Sequence, residues 1–255
     1  MHDIQNEADL RGIEIDEVGI SGLRYPVSFD DGYLRQHGIA DLTVTVRLPH
    51  DRRGTHMSRM VELVHEHLQQ FDPRELPQVL KAGADLLDVS SLTVTVSMPI
   101  GTRVTAPTSG AESWQVHDVS IEGRLDGSAA IVATTVTCEV TSLCPCSKAI
   151  SDYGAHNQRS RVSLTVTGVG DNPYPFPVHD AVQLLRGCAS APVVPLVKRP
   201  DERALTMEAY DHPVFVEDMA RDISLSCRER EFVHSVSVRN LESIHSHDAI
   251  ARISG

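Results

Sequence analysis

Aromatic side chains make up only 4% of the 255 residues, with a single tryptophan. The core must therefore be built from aliphatic groups, which a 41% hydrophobic content can supply. Positive charge is also short: 23 Lys and Arg stand against 35 Asp and Glu, a formal net charge of −12. Proteins that grip a phosphate backbone need the opposite balance, so nucleic acid is not an expected partner. Basic contacts to an anionic small molecule would have to be local. No stretch approaches the ~20 apolar residues of a membrane span. The first ten residues, MHDIQNEADL, place acids where a signal peptide carries basic residues and then an apolar run. The expectation is a soluble cytoplasmic protein with no membrane contact. Cysteine is sparse and odd in number, at five, and a reducing compartment disfavours disulfides. Cys138, Cys188 and Cys227 are expected as small buried apolar groups.

What the chain does have is alternation. DLTVTVRLP (Asp41–Pro49) and SLTVTVSMP (Ser91–Pro99) are near copies, and RVSLTVTG (Arg161–Gly168) and EFVHSVSVRN (Glu231–Asn240) share their pattern. Branched residues at every second position, with Thr or Ser between, predict strands with one buried face. AAIVATTVTCEVTS (Ala129–Ser142) and QVHDVSIEGRL (Gln115–Leu125) read the same way, and a first strand is expected near Ile13–Leu23. Met57, Met60, Val61, Val64, Leu68 and Phe71 fall on one helical stripe. Asp72-Pro73 then marks a cap and first helical position, with the second helix ending near Leu87. The second half predicts a helix over about 178–189, an irregular link APVVPLVKRPDE, and a helix over about 212–228. Each half thus reads strand, strand, two helices, strand, strand. The expected fold is α+β, a duplicated antiparallel sheet with paired helices on one face. A seam at Asp126-Gly127 divides 1–126 from 127–255.

One segment stands apart from this regularity: SLCPCSKAISDYGAHNQRS, Ser142 to Ser160. Cys144 and Cys146 are one residue apart, and His156 follows twelve residues after the first. An unreactive loop is the plain interpretation, and a strained Cys144–Cys146 disulfide is another. A structural zinc finger is disfavoured, because no second Cys pair closes a tetrahedral set. A catalytic metal site needs about three protein ligands and an open position. Cys144 and His156 supply two, and a third must come from elsewhere. VKRPDE (Val197–Glu202) and NLESIHSHDA (Asn240–Ala249), with Glu242, His245 and His247, are the two unusual contexts. Lys148, Arg159 and Arg161 cluster nearby, which on so acidic a chain points to an anionic ligand such as a phosphate.

These residues carry a resemblance. The Cys144–His156 segment is similar to the signature of GTP cyclohydrolase IB, a prokaryotic family. GISGLRYPV (Gly19–Val27), RGTHMSR (Arg53–Arg59), VKRPDE, FVEDMARD (Phe215–Asp222) and NLESIHSHDA resemble further family segments, in the family's order and over nearly the whole chain. The resemblance implies the tunnelling fold, with two tandem modules per chain and a homotetramer whose sites form between subunits. It implies hydrolysis of GTP to 7,8-dihydroneopterin triphosphate and formate, the first step towards folate. It also implies one divalent metal per site, with manganese, zinc or iron(II) as candidates. Cys144, His156 and Glu202 resemble the family's metal ligands. Glu217 resembles the acidic anchor for a planar purine, whose N1–H and exocyclic amine offer two donors to two carboxylate oxygens. Glu242 and His245 resemble residues acting at or beside the metal, and Cys146 one that assists catalysis or pairs with Cys144. Lys148, Arg159, Arg161, Lys198, Arg199, Arg53 and His56 are candidates for the triphosphate. Competing expectations are a tunnelling-fold nitrile reductase with a nucleophilic cysteine and no metal, an archaeal-type cyclohydrolase with a cyclic phosphate product, and a metal-stabilised binding protein without turnover.

Overall fold

The structure is a computed structural model that describes residue 5 and residues 7–255; residues 1–4 and 6, part of the acidic N-terminal segment, lie outside it. In chain order the strands are β1 (Ile15–Asp30), β2 (Arg35–Leu48), β3 (Gln70–Phe71), β4 (Ser91–Thr105), β5 (Glu112–Asp126), β6 (Ala129–Leu143), β7 (Asn157–Val169), β8 (Ala191–Pro192), β9 (Val233–Asn240) and β10 (Ala249–Ser254). The helices are α1 (Met57–His67), α2 (Leu76–Leu87), α3 (Pro145–Ile150), α4 (Val178–Gly187), α5 (Arg199–Asp211) and α6 (Val216–Arg228). Hydrogen bonding links the strands in the order β10-β9-β7-β6-β5-β4-β2-β1-β3, with β8 paired to β6. Among the described residues, no helix is long and apolar enough to cross a membrane.

Two compact units share the long strands. One holds the chain to Met98 with Ser120–Thr134 and Thr167–Pro175. The other holds Pro99–Val119, Thr135–Val166 and Phe176–Gly255.

In the first unit the two near copies lie side by side. Leu42 pairs with Val96, Val44 with Val94, and Val46 with Leu92, antiparallel. Their branched residues are fully or almost fully buried, and the intervening threonines are not. Met60, Leu63 and Val64 of α1 and Leu76, Leu80 and Leu87 of α2 complete that aliphatic core. A Cβ on Gly83 would stand 2.7 Å from side-chain atoms of Leu63 and Leu92, so glycine is what lets α2 come so close. The Asp72 carboxylate accepts from the Arg74 amide, and Pro73 opens the turn ahead of α2, as expected of a capped start. The first strand is longer than Ile13–Leu23. It begins at Ile15 and runs through Pro26 to Asp30, because Val27 and Phe29 continue the buried face beyond an irregularity between Ile20 and Leu23.

The second unit packs Val136, Cys138, Val140, Val162, Leu164, Val236 and Val238 of its strands with Met219, Ala220, Ile223 and Cys227 of α6. Three expectations are corrected here. The link APVVPLVKRPDE opens with β8, paired to β6, and is irregular only from there to Lys198; α5 starts at Arg199 and ends at Asp211. Only Asp201 and Ala209 of α5 are buried, so it carries no apolar stripe for periodicity to find, although Pro200 near its start is an ordinary helix-opening signal. The following helix begins at Val216 rather than near 212, and this half has three longer helices instead of two. Finally, Cys188 is only half-buried, whereas Cys138 and Cys227 are fully enclosed.

Candidate active site

The ends of β6 and β9, the start of β7 and the first turn of α6 converge on a cavity of about 270 Å³ in the second unit. Buried polar groups hold its floor. The Ser160 hydroxyl donates to Asn240 Oδ1 at 2.6 Å, and Asn240 Nδ2 donates to Ser142 Oγ at 3.0 Å. Ser142 Oγ in turn donates to the Val214 carbonyl at 2.9 Å. Each donor and acceptor is matched, so the network ties three strands to the segment entering α6 without leaving an unpaired buried group.

The Cys144–His156 excursion closes on itself above that floor. The Cys144 amide donates to the His156 carbonyl at 3.0 Å, and the His156 amide donates to Ser147 Oγ at 3.2 Å. Cys144 precedes α3, and its sulfur accepts from the Ser147 amide at 3.4 Å. Twelve residues of separation therefore become adjacency. The short α3 buries none of its side chains, so it exists to shape this excursion and not to extend the core.

Around the cavity wall, His156 Nδ1 lies 2.7 Å from Gln158 Oε1 and 3.9 Å from Glu242 Oε2. The His156 and Glu242 side chains keep only 12% and 9% exposure. The His245 ring meets His156 edge-on at 6.4 Å between centroids, and His247 stacks on His245 at 5.2 Å. Glu217 sits in the first turn of α6, whose opening is fixed by the Phe215 amide donating to Asp218 Oδ2 at 3.0 Å.

Of the residues singled out from sequence, Cys144, His156, Glu217, Glu242 and His245 line this one cavity, joined by His247. The others do not. Cys146 is exposed on α3. Glu202 is exposed in the first turn of α5. Lys148 Nζ donates to the Tyr210 carbonyl at 2.5 Å and lies 4.3 Å from the centre of the Tyr210 ring. Arg159 pairs with Glu139 at 3.4 Å and Arg161 with Asp118 at 2.5 Å. The Lys198 amide donates to Asp201 Oδ2 at 3.0 Å. Arg53, paired with Glu7, and His56, just ahead of α1, belong to the first unit. Among the described residues, no Lys or Arg lines the cavity.

Sequence reasoning passed over Ser142, Gln158 and Asn240. Their signal was available: each is a polar residue at a buried strand position, in register with branched neighbours. It also passed over Asp201, which is fully buried and accepts from Ser109 Oγ at 2.7 Å and from the Ser109, Thr108 and Lys198 amides. The Ser109 hydroxyl foremost, with these amides, holds its carboxyl well below the usual range. The turn after β4 is thereby pinned to the start of the helix that carries Glu202.

The donor types suit a borderline divalent ion: a thiol, an imidazole and carboxylates. With Nδ1 engaged by Gln158, Nε2 is the His156 nitrogen left for a ligand. Among the described residues, no three His, Cys, Asp or Glu side chains stand close enough to hold an ion as placed, so binding one requires a side chain to turn.

A family model described as type I GTP cyclohydrolase folE2 matches residues 1–251. The GTP cyclohydrolase FolE2 of Fervidobacterium nodosum is 38% identical over 254 residues, covering 98% of this chain and 96% of that protein. Those of Methylobacillus flagellatus and Neisseria gonorrhoeae are each 40% identical, covering 99% and 98% of this chain and 95% and 97% of their own. Among solved structures, uricase from Arthrobacter globiformis aligns with a TM-score of 0.53 at 10% identity, over 93% of this chain and 92% of that one. That likeness concerns the fold alone.

Proposed function

The chain belongs to the type I GTP cyclohydrolase FolE2 family and is a GTP cyclohydrolase of folate biosynthesis, and on that premise we propose that the cavity of the second unit is where the guanine ring is opened. The product is 7,8-dihydroneopterin triphosphate, with formate released, as in the type IB branch. The observation that carries this reading is the convergence of Cys144, His156, Glu217, Glu242 and His245, drawn from three separate sequence segments, on one cavity.

The cavity's size and charge fit a base better than a whole nucleotide. At about 270 Å³ it falls just below the ~300–1,000 Å³ typical of ligand sites. Among the described residues, two carboxylates and no guanidinium or ammonium group line it, so the triphosphate would extend outside it. Lys148, Arg159, Lys198, Arg53 and His56 remain the candidates to meet that charge. Some would act from a neighbouring subunit in the homotetramer. Apolar side chains left open in the Cys144–His156 excursion and after β9 support such a neighbour: Ile150 is 85% exposed, Tyr153 95% and Ile244 65%. The same reading takes the chain as two tandem modules of the tunnelling fold, supported by the succession of two long strands, helices and two strands that recurs from β6 onward. We place the enzyme in the cytoplasm.

Glu217 accepts guanine N1–H and the exocyclic amine, which orients C8 towards Cys144 and His156. Cys144, His156 and Glu202 would hold one divalent ion, zinc, manganese or iron(II), with Glu202 swinging in from α5. When bound, such an ion supplies the Lewis acidity that makes water a competent nucleophile near neutral pH. His245, beside His156 and backed by His247, passes protons to and from the imidazole nitrogens of the base as the ring opens and formate departs. Glu242, with its side chain 9% exposed, lines the same cavity 3.9 Å from His156 Nδ1 and would act beside the ion. Cys146 stands exposed next to Cys144 as a reserve thiol that can pair with it.

The test is formate release by Cys144→Ser and His156→Ala. Both are expected to lose activity by at least ~1,000-fold while the oligomer persists. Loss of the oligomer with either substitution would make the excursion structural and overturn the assignment.

A further inference from the structure

The geometry points to Gln158 as a positioning residue whose side-chain oxygen holds His156 in the tautomer that leaves Nε2 free for the divalent ion, an inference that rests on the metal reading above. Gln158 is 6% exposed and lies on β7, two residues after His156. The two-residue repeat of an extended chain puts both side chains on the same side. Gln158 Oε1 is 2.7 Å from His156 Nδ1, and Ser243 Oγ donates to the same oxygen at 3.4 Å. Two donors converging on one atom is what an amide oxygen accommodates. An amide oxygen only accepts, so Nδ1 carries the hydrogen. A neutral imidazole has one N–H, so the lone pair sits on Nε2.

The choice of a neutral partner matters. Glu242 Oε2 is 3.9 Å from the same Nδ1, beyond hydrogen-bond reach. The glutamine takes the bond that this carboxylate would otherwise compete for. Glu242 thus keeps its oxygens for the cavity, and the imidazole keeps a fixed ring orientation. Groups that orient a metal-binding histidine in this way typically matter by 10–100-fold in metal affinity.

The experiment uses the full-length protein stripped of metal, with zinc(II) or manganese(II) titrated in competition with a chromogenic chelator. Gln158→Met keeps the length and removes the acceptor; it is expected to weaken both ions roughly 10–100-fold. Gln158→Glu keeps an acceptor and is expected to restore most of that loss. Unchanged metal affinity in a folded Gln158→Met protein, while His156→Ala loses the ion, overturns this inference and spares the metal reading. A parent protein that binds neither ion, or His156→Ala binding as well as the parent, overturns both. If Gln158→Met does not fold, nitrogen NMR of histidine-labelled, metal-free parent protein decides. A hydrogen on Nδ1 of His156 supports the inference, and a hydrogen on Nε2 overturns it.

Discussion

Lowering the pH should destabilise the second unit through one buried histidine that does not line the cavity. His117 is 1% exposed on the inner face of β5. Its Nε2 meets Thr102 Oγ1 at 2.9 Å, and its Nδ1 is buried without a partner. Burial foremost, then the Arg186 guanidinium, lowers its pKa from 6.5 to about 4, with Asp118 opposing weakly. A histidine held neutral in the fold takes its proton more readily when unfolded. Between pH 6.5 and about 4 the unfolded chain therefore binds more protons, and stability falls as pH falls. The contribution is complete above about 6.5 and gone below about 4. At about 1.4 kcal/mol per pH unit the whole loss is about 3 kcal/mol, a substantial share of a typical ~5–15 kcal/mol. The assay is urea unfolding at fixed protein concentration from pH 7.5 to 4, parent against His117→Gln. Glutamine still reaches Thr102 and does not titrate. On acidification the parent should lose about 3 kcal/mol more than the variant. Curves that stay parallel across that window would show that burial of His117 does not set its protonation.

Glu217→Gln removes the charged acceptor for two guanine donors, worth about 2–3 kcal/mol together. The loss should be roughly 100-fold in kcat/KM for GTP and much smaller for inosine triphosphate, which lacks the exocyclic amine; an equal loss on both would remove Glu217 from base recognition. Thiol chemistry should be confined to the exposed excursion. Burial pushes the Cys138 thiol up to about 11 and raises that of Cys227. Brief alkylation at pH 8 of metal-free native protein should therefore mark Cys146 and leave Cys138 and Cys227 unmodified, as read by peptide mass spectrometry. Rapid modification of Cys138 would mean the β6 core opens readily.

The strands were legible because one face of each is buried and the other is not. Leu42, Val44 and Val46 against Thr43 and Thr45 announce the pattern, and the near copy at Ser91–Pro99 turns out to be its hydrogen-bonded neighbour. Helix α5 was not legible, because it is held by one buried carboxylate, Asp201, and little apolar surface. Periodicity reports burial, and α5 buries almost nothing. The candidate cavity was legible through residues whose chemistry is unusual in context: Cys144, His156, Glu242 and His245 all line it. Its supports were not. Ser142, Gln158 and Asn240 look like ordinary polar residues until strand register shows that they point inward. Lys148, Arg159 and Arg161 are close in sequence, but spacing alone does not show what each one meets in the fold. Their partners, the Tyr210 carbonyl, Glu139 and Asp118, come from elsewhere in the chain and are invisible to spacing.

The most direct measurement is formate release from GTP by chelator-stripped protein, with manganese, zinc or iron(II) returned one at a time. Formate that appears only with an added ion, and that is lost in Cys144→Ser, is the predicted result. A folded, oligomeric protein that releases no formate with any ion, or releases it equally without one, would contradict a metal-assisted opening of guanine at the Cys144–His156 cavity.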